Sequence, residues 1–134
     1  MAILKKWVRK KYFEDILEGD KTVEVRSPDS RDNDYRNFAE GDILKLKNEE
    51  RGTACFELTG VANYNSAQEL LYEEGVESVL PEADRIEEAE EEIHGVYEPD
   101  RINKNGIYAI RLGDLLRSNP WPFLSEYEEA AMPF

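Results

Sequence analysis

The stretch Tyr12-Phe13-Glu14-Asp15-Ile16-Leu17-Glu18-Gly19-Asp20-Lys21-Thr22-Val23-Glu24-Val25-Arg26 changes its periodicity at one glycine. Before Gly19, the residues Tyr12, Phe13, Ile16 and Leu17 recur at the spacing of one helical face. They predict a helix of about two turns, with Gly19 supplying the left-handed residue that helix ends favour. From Lys21 to Arg26 apolar and polar residues alternate, the period of a half-buried strand. Val23 and Val25 then face a core, and Thr22, Glu24 and Arg26 share the opposite face. Lys21 goes with the valines by parity unless the strand begins after it.

Upstream, Ile3 to Arg9 reads as a first strand, with Trp7, Lys5 and Arg9 on one side of it. Downstream, Ser27 to Glu40 contains Pro28, several Asp and Asn residues and little periodicity, and predicts a long surface loop. Gly41-Asp42 makes a turn into Ile43 to Lys47, which pairs with Thr53 to Val61 as two antiparallel strands. Ser66-Ala67-Gln68-Glu69 has the form of a capping box, so a helix begins at Ala67. Pro81 opens another, with Ile86, Ala89, Ile93 and Tyr97 along one stripe. Gly106 to Leu112 reads as a closing strand. Residues 1–112 are therefore expected to form one domain. Residues 113–134, with Asn119-Pro120-Trp121-Pro122-Phe123, are expected to be an aromatic, proline-containing tail.

At 134 residues the chain suits a single core. No apolar run approaches the roughly 18 residues a membrane span requires, and the basic N-terminus lacks the apolar stretch of a secretory signal, so a soluble, cytoplasmic protein that does not engage membranes is expected. Cys55 is the only cysteine and His94 the only histidine, which excludes an intramolecular disulfide and argues against zinc; neither metal nor cofactor is expected. Thirty acidic against 17 basic residues give a net charge of -13, which argues against broad, nonspecific affinity for nucleic acid. The charge is uneven. Residues 1–11 carry Lys5, Lys6, Arg9, Lys10 and Lys11 without an acid, whereas from Ser66 to Glu98 twelve acids face the single base Arg85.

Strand, helix, strand, then three further strands with helices inserted before the last describe an α+β barrel whose ends are covered by short helices. The run from Tyr12 to Arg26 resembles the signature of the ASCH domain family, in which G-x-K-x-x-E-x-R closes the first helix and forms the second strand. Gly41-Asp42 before an apolar strand, Ser66 to Glu74 followed by Val79-Leu80-Pro81, and Gly106-Ile107-Tyr108-Ala109-Ile110 resemble the rest of the pattern, over residues 3–112. The resemblance implies a PUA-like β-barrel, mixed or antiparallel, with a cleft that binds RNA or nucleotides, and in some small members hydrolytic activity.

Lys21 and Arg26 offer positive charge and directional donors suited to a phosphate or a carbonyl oxygen, and Glu24 between them orients both or accepts a proton. Trp7 is a candidate stacking surface for a base, with Lys5 and Arg9 beside it for backbone contacts. Ser66 lies at a helix N-terminus, where backbone donors meet anions. Small bacterial relatives that this resemblance points to are amidohydrolases deacylating N4-acetylcytidine with a lysine at the G-x-K position, a threonine three residues on and a glutamate from the following helix. Lys21 matches; the threonine position is Glu24 here, and Glu73 or Glu74, of which Glu74 is the candidate taken, stands for the helical acid. Without the hydroxyl, such an enzyme would use Glu24 to activate water and Lys21 to polarise the carbonyl. Three readings follow: an RNA- or nucleotide-binding module, an amidohydrolase acting on an N4-acylated cytidine-type nucleoside, and a module that binds a protein partner through its acidic helices or C-terminal tail.

Overall fold

A computed structural model describes residues 2–29 and 35–119. In chain order the elements are β1 (Ile3–Trp7), α1 (Lys10–Leu17), β2 (Val23–Arg26), β3 (Ile43–Asn48), β4 (Gly52–Tyr64), α2 (Ala67–Glu74), α3 (Val76–Val79), α4 (Ile86–Val96), α5 (Pro99–Asn105) and β5 (Ile107–Asn119). The five strands form one mixed sheet in the order β1-β3-β4-β5-β2, with β1 and β3 parallel and the other neighbours antiparallel. β4 and β5 make a long antiparallel pair whose register slips between Cys55 and Phe56, between Phe56 and Leu58, and between Leu58 and Gly60. Such irregularities bend and twist a ladder, which is how a five-stranded sheet curls into a half-barrel.

β5 carries the centre of the fold. Ile107, Tyr108, Ala109 and Ile110 are all buried, as expected of a strand covered on both faces. Tyr108 and Ile110 point into the barrel with Leu4, Val8, Leu44, Leu46, Phe56 and Leu58. Ile107 and Ala109 point the other way, into a second core with Val23 of β2 and with Leu70, Leu71, Val79, Ala89, Ile93 and Ile102 from the helical layer. The chain thus has two apolar clusters on one sheet, an α+β arrangement of the PUA-like kind that the sequence suggests.

Several local expectations need correction. β5 does not end at Leu112 but continues to Asn119, and the tail from residue 120 onward lies outside the described residues. Pro81 does not open α4: Pro81 and Glu82 form a turn, residues 83–85 are irregular, and the helix starts at Ile86 after Arg85. The helix begun by Ser66 stops at Gly75, whose φ of 93° breaks it into α2 and α3. α5 was not anticipated; Pro99 occupies its first turn, where a missing N–H costs nothing. The segment after β2 is described at residues 27–29 and 35–40, and there it is not purely surface: Tyr35 is buried and meets Tyr108 edge to face at 5.4 Å.

Candidate functional site

Gly19, at φ 85°, ends α1, and the backbone N–H groups of Asp20 and Lys21 both return to the carbonyl of Asp15. β2 starts only at Val23, so Lys21 lies before the strand and is not bound by its alternation. Its side chain instead joins Glu24. Lys21 is 3% exposed, and its ammonium donates to the carbonyls of Val23 at 2.7 Å and Val79 at 2.5 Å. Glu24 Oε1 stands 3.9 Å from Lys21 Nζ. Burial pushes the Lys21 ammonium below the ordinary lysine range, and the attraction of Glu24 is the largest influence opposing it.

The polar face of β2 is the inner face of the barrel. Glu24 sits opposite Ile110 and Arg26 opposite Tyr108 in the ladder with β5, and both of those residues belong to the barrel core. Glu24 is consequently 5% exposed rather than solvated. Arg26 grips it through Nη2 at 2.8 Å and Nε at 3.2 Å, both to Oε2, while Oε1 accepts the backbone N–H of Val25 at 3.1 Å. Arg26 Nη2 also donates to the carbonyl of Trp7 at 2.7 Å. β1 and β2 are the two edges of the curled sheet, so this one guanidinium bridges the open side of the half-barrel.

A cavity of about 140 Å³ opens above these groups. Lys21, Glu24 and Arg26 form its polar side; Val8, Val25, Val79, Leu80, Ile93 and Val96 supply apolar wall, and Tyr12, Tyr97, Trp7, Arg9 and Glu92 complete the lining. Tyr12 from α1 donates its hydroxyl to Glu92 of α4 at 2.5 Å and places its ring 5.6 Å from Lys21 Nζ. Desolvation and then the bond to Glu92 raise the Tyr12 phenol above its ordinary value. Trp7 is 56% exposed at the rim, with Lys47 Nζ 5.4 Å from its ring. Arg9 is exposed on the same rim and makes no ion pair among the described residues, in contrast to Lys10, held by Glu50, and Lys11, held by Glu82.

The cavity therefore brings together Lys21, Glu24, Arg26, Trp7 and Arg9 and leaves out three residues singled out in the sequence. Lys5 is exposed on the outer face of β1, opposite Lys45. Ser66 caps α2 by accepting from the backbone N–H of Glu69 at 3.1 Å. Glu74 accepts the Tyr64 hydroxyl and is clamped by Arg111 through Nε at 2.9 Å and Nη2 at 2.6 Å. The Arg111 clamp holds the Glu74 carboxyl below the usual carboxylate range. Sequence reasoning missed Tyr12, Tyr97 and Glu92 as cavity walls. The signal for Tyr12 was its place on the apolar stripe of α1, and for Tyr97 its place on that of α4. Asp15, Glu18 and Asp20 bring three carboxylates within 4.8 Å of one another, but only at the exposed end of α1, where acids cluster without a ligand.

A mixed, curled sheet with α1 packed into the barrel core, the other helices on the opposite face and a small cavity between the edge strands is an α+β fold of the PUA-like kind. The ASCH domain model matches residues 7–115, and the chain belongs to that family. It is similar to the crystal structure of hypothetical protein PH0355, at 30% identity and a TM-score of 0.71 over 87% of this chain and all of that one. It is also similar to the solution structure of protein PF0455 from Pyrococcus furiosus, at 25% identity and a TM-score of 0.65 over 87% and 99% of the two chains. The fold extends to the ASCH protein of Zymomonas mobilis, at 17% identity and a TM-score of 0.61 over 97% and 78%. A search of curated proteins gives no match. Among the described residues no helix is long and apolar enough to cross a membrane.

Proposed function

We propose that this chain binds single-stranded RNA or a nucleotide by taking one base ring into the cavity above Lys21, Glu24 and Arg26. The observation that carries the reading is the size and character of that cavity. Its volume of about 140 Å³ is close to that of engineered protein cavities of about 150 Å³ that accept a benzene ring. One flat heterocycle fits it, and a whole nucleotide does not. The apolar walls suit the faces of a base. The floor offers the third N–H of Lys21, two being spent on carbonyls, and the remaining acceptor capacity of Glu24 Oε1 for the polar edge. Trp7 supports the reading as a stacking surface for the neighbouring base.

The test is fluorescence anisotropy with a labelled, pyrimidine-rich single-stranded RNA at low salt. Binding should weaken as salt rises. Trp7→Ala should cost about 1–3 kcal/mol, the usual value of one base stacked on an aromatic ring. Wild-type affinity in both Trp7→Ala and Arg9→Ala would remove the cavity rim from the site.

A second reading, hydrolysis of an N4-acylated cytidine-type nucleoside, is favoured by one observation: Lys21 lines the cavity 3.9 Å from Glu24, and burial makes its ammonium readier to give up a proton than an ordinary lysine. Glu24 is poorly arranged to activate water, because Oε2 already accepts two bonds from Arg26 and Oε1 one from Val25. Lys21 would then be the proton acceptor and Glu24 a positioning group. Incubation with N4-acetylcytidine, with release of cytidine followed by chromatography, decides between turnover and simple binding.

A further inference from the structure

The alternation that buries Leu4 in β1 and Val8 just beyond its end puts Lys6 on the same, core-facing side of the strand. A lysine pointing into a barrel needs a reason. Among the described residues it makes no hydrogen bond or ion pair, and its ammonium lies 5.0 Å from the centre of the Tyr35 ring. It lines a second, polar hollow of about 460 Å³. Arg101 and Arg26 share that lining, and Asp29 is the acid among the described residues there.

Arg101 is held in place rather than neutralised. Its Nη2 donates to the carbonyl of Ser27 at 2.6 Å and its Nε to that of Pro28 at 3.3 Å, and its guanidinium carbon lies 5.1 Å from the Tyr97 ring. The Nη1 group of Arg101 has no partner among the described residues, and the same is true of Nη1 of Arg26, whose Nε and Nη2 are spent on Glu24 and Trp7. Three cations with unspent donors thus line one hollow, two of them fixed by hydrogen bonds to backbone. Arg26 and Tyr97 line this hollow and the base-sized cavity alike, so the two are adjacent compartments on either side of one guanidinium.

We propose that the Lys6–Arg26–Arg101 hollow is a phosphate subsite, so that the ligand is a nucleotide or an RNA strand with a base in the small cavity and a phosphate in the larger hollow. This inference rests on the base-binding reading and narrows it: Glu24 balances one of the three cations, and a neutral nucleoside brings no charge to the hollow that Lys6 and Arg101 line. Phosphate suits the arrangement because fixed guanidinium groups match its oxygens in direction as well as charge, and Lys6 adds a mobile point charge.

The experiment is isothermal titration of uridine and cytidine against their 3′- and 5′-monophosphates, with inorganic phosphate as a further ligand. At least one monophosphate should bind about tenfold or more tightly than its nucleoside, the equivalent of one or two hydrogen bonds to a charged group. Lys6→Met keeps an unbranched chain over Tyr35 and should erase most of that gap without altering nucleoside affinity. Arg101→Lys, which leaves a cation to face Ser27 and Pro28, should narrow it. With single-stranded RNA, Lys6→Met should lower the slope of log affinity against log salt by about 0.7, the value of one phosphate contact. Equal affinity of nucleoside and monophosphate would overturn the subsite while leaving the base cavity standing. A gap that survives Lys6→Met and Arg101→Lys would place the phosphate elsewhere and also overturn it. Binding of none of these ligands, nor of RNA, would remove the base-binding reading and the subsite together.

Discussion

Glu24→Gln is the substitution whose consequences follow most directly from the site. It keeps the volume of the side chain and removes the negative charge between Lys21, 3.9 Å away, and Arg26, 2.8 Å away. Lys21 is left as a buried ammonium whose remaining partners are the two carbonyls of Val23 and Val79. Removing one member of a buried ion pair costs about 3–5 kcal/mol, and the partial exposure of Arg26 places this case near 3 kcal/mol on the same scale. For a chain of this size that corresponds to a fall in Tm of roughly 10 °C. The pH dependence gives the deficit a signature. Because burial lowers the Lys21 pKa, the folded state gives up this proton before the unfolded chain does. Stability therefore rises with pH between the folded value and the ordinary lysine value, and the contribution is complete above the latter. Glu24 opposes the depression, so Glu24→Gln lowers the folded value further and extends the rise to lower pH. The deficit of the variant should be largest at neutral pH and should shrink in alkaline solution. Urea unfolding followed by circular dichroism at both pH values measures it. A deficit below about 0.5 kcal/mol, the range of ordinary surface changes, or one that does not change with pH, would refute the coupling of Lys21 to Glu24.

Other outcomes follow from the packing. Leu58→Ala in the barrel core should cost about 2–5 kcal/mol in urea unfolding, since Leu58 is completely buried. Gly106→Ala places a Cβ 2.7 Å from Asn63 Oδ1 at a φ of 81°, and should destabilise by about 1–2 kcal/mol or more through left-handed strain alone. Glu74→Gln loosens the clamp to Arg111 and Tyr64; it should lower stability while leaving RNA affinity in the anisotropy assay unchanged, and a parallel loss of affinity would return Glu74 to the site.

The part of the fold legible in the sequence is the part written locally. Gly19 marks the end of α1 because a left-handed residue is needed there, and Val23 and Val25 mark β2 by alternation. Ser66 marks α2 because its hydroxyl caps the first turn. Elements set by remote contacts were not legible: Leu58 and Phe56 in β4 pair with Leu112 and Leu115 of β5 and keep this stretch in the sheet although Gly113 interrupts the apolar pattern. Pro81 misled because proline is compatible with a turn as well as with a first helical position, and Arg85, not Pro81, precedes the first turn of α4.

Within the site, Lys21, Glu24 and Arg26 could be picked out by motif, and Lys21 escaped the parity argument because β2 begins two residues later. That Glu24 and Arg26 face the barrel interior could not be read from alternation, since a strand with apolar cores on both sides gives no solvent face to contrast with. The bridge from Arg26 to Trp7 joins edge strands that are not neighbours in the sheet, and nothing near either residue in sequence announces it. Lys6 was hidden by its basic neighbours, although the alternation of Leu4, Lys6 and Val8 contained the signal.

The central claim is that the cavity between β1 and β2 is where RNA is bound. The most direct test is to titrate the isotopically labelled protein with a short pyrimidine-rich RNA and follow backbone amide and tryptophan indole resonances. Shifts concentrated at Trp7, Arg9, residues 21–26 and the α4 residues Ile93 and Val96 are the predicted result. Shifts confined to the acidic faces of α2 and α4, or absent everywhere at saturating RNA, would contradict it.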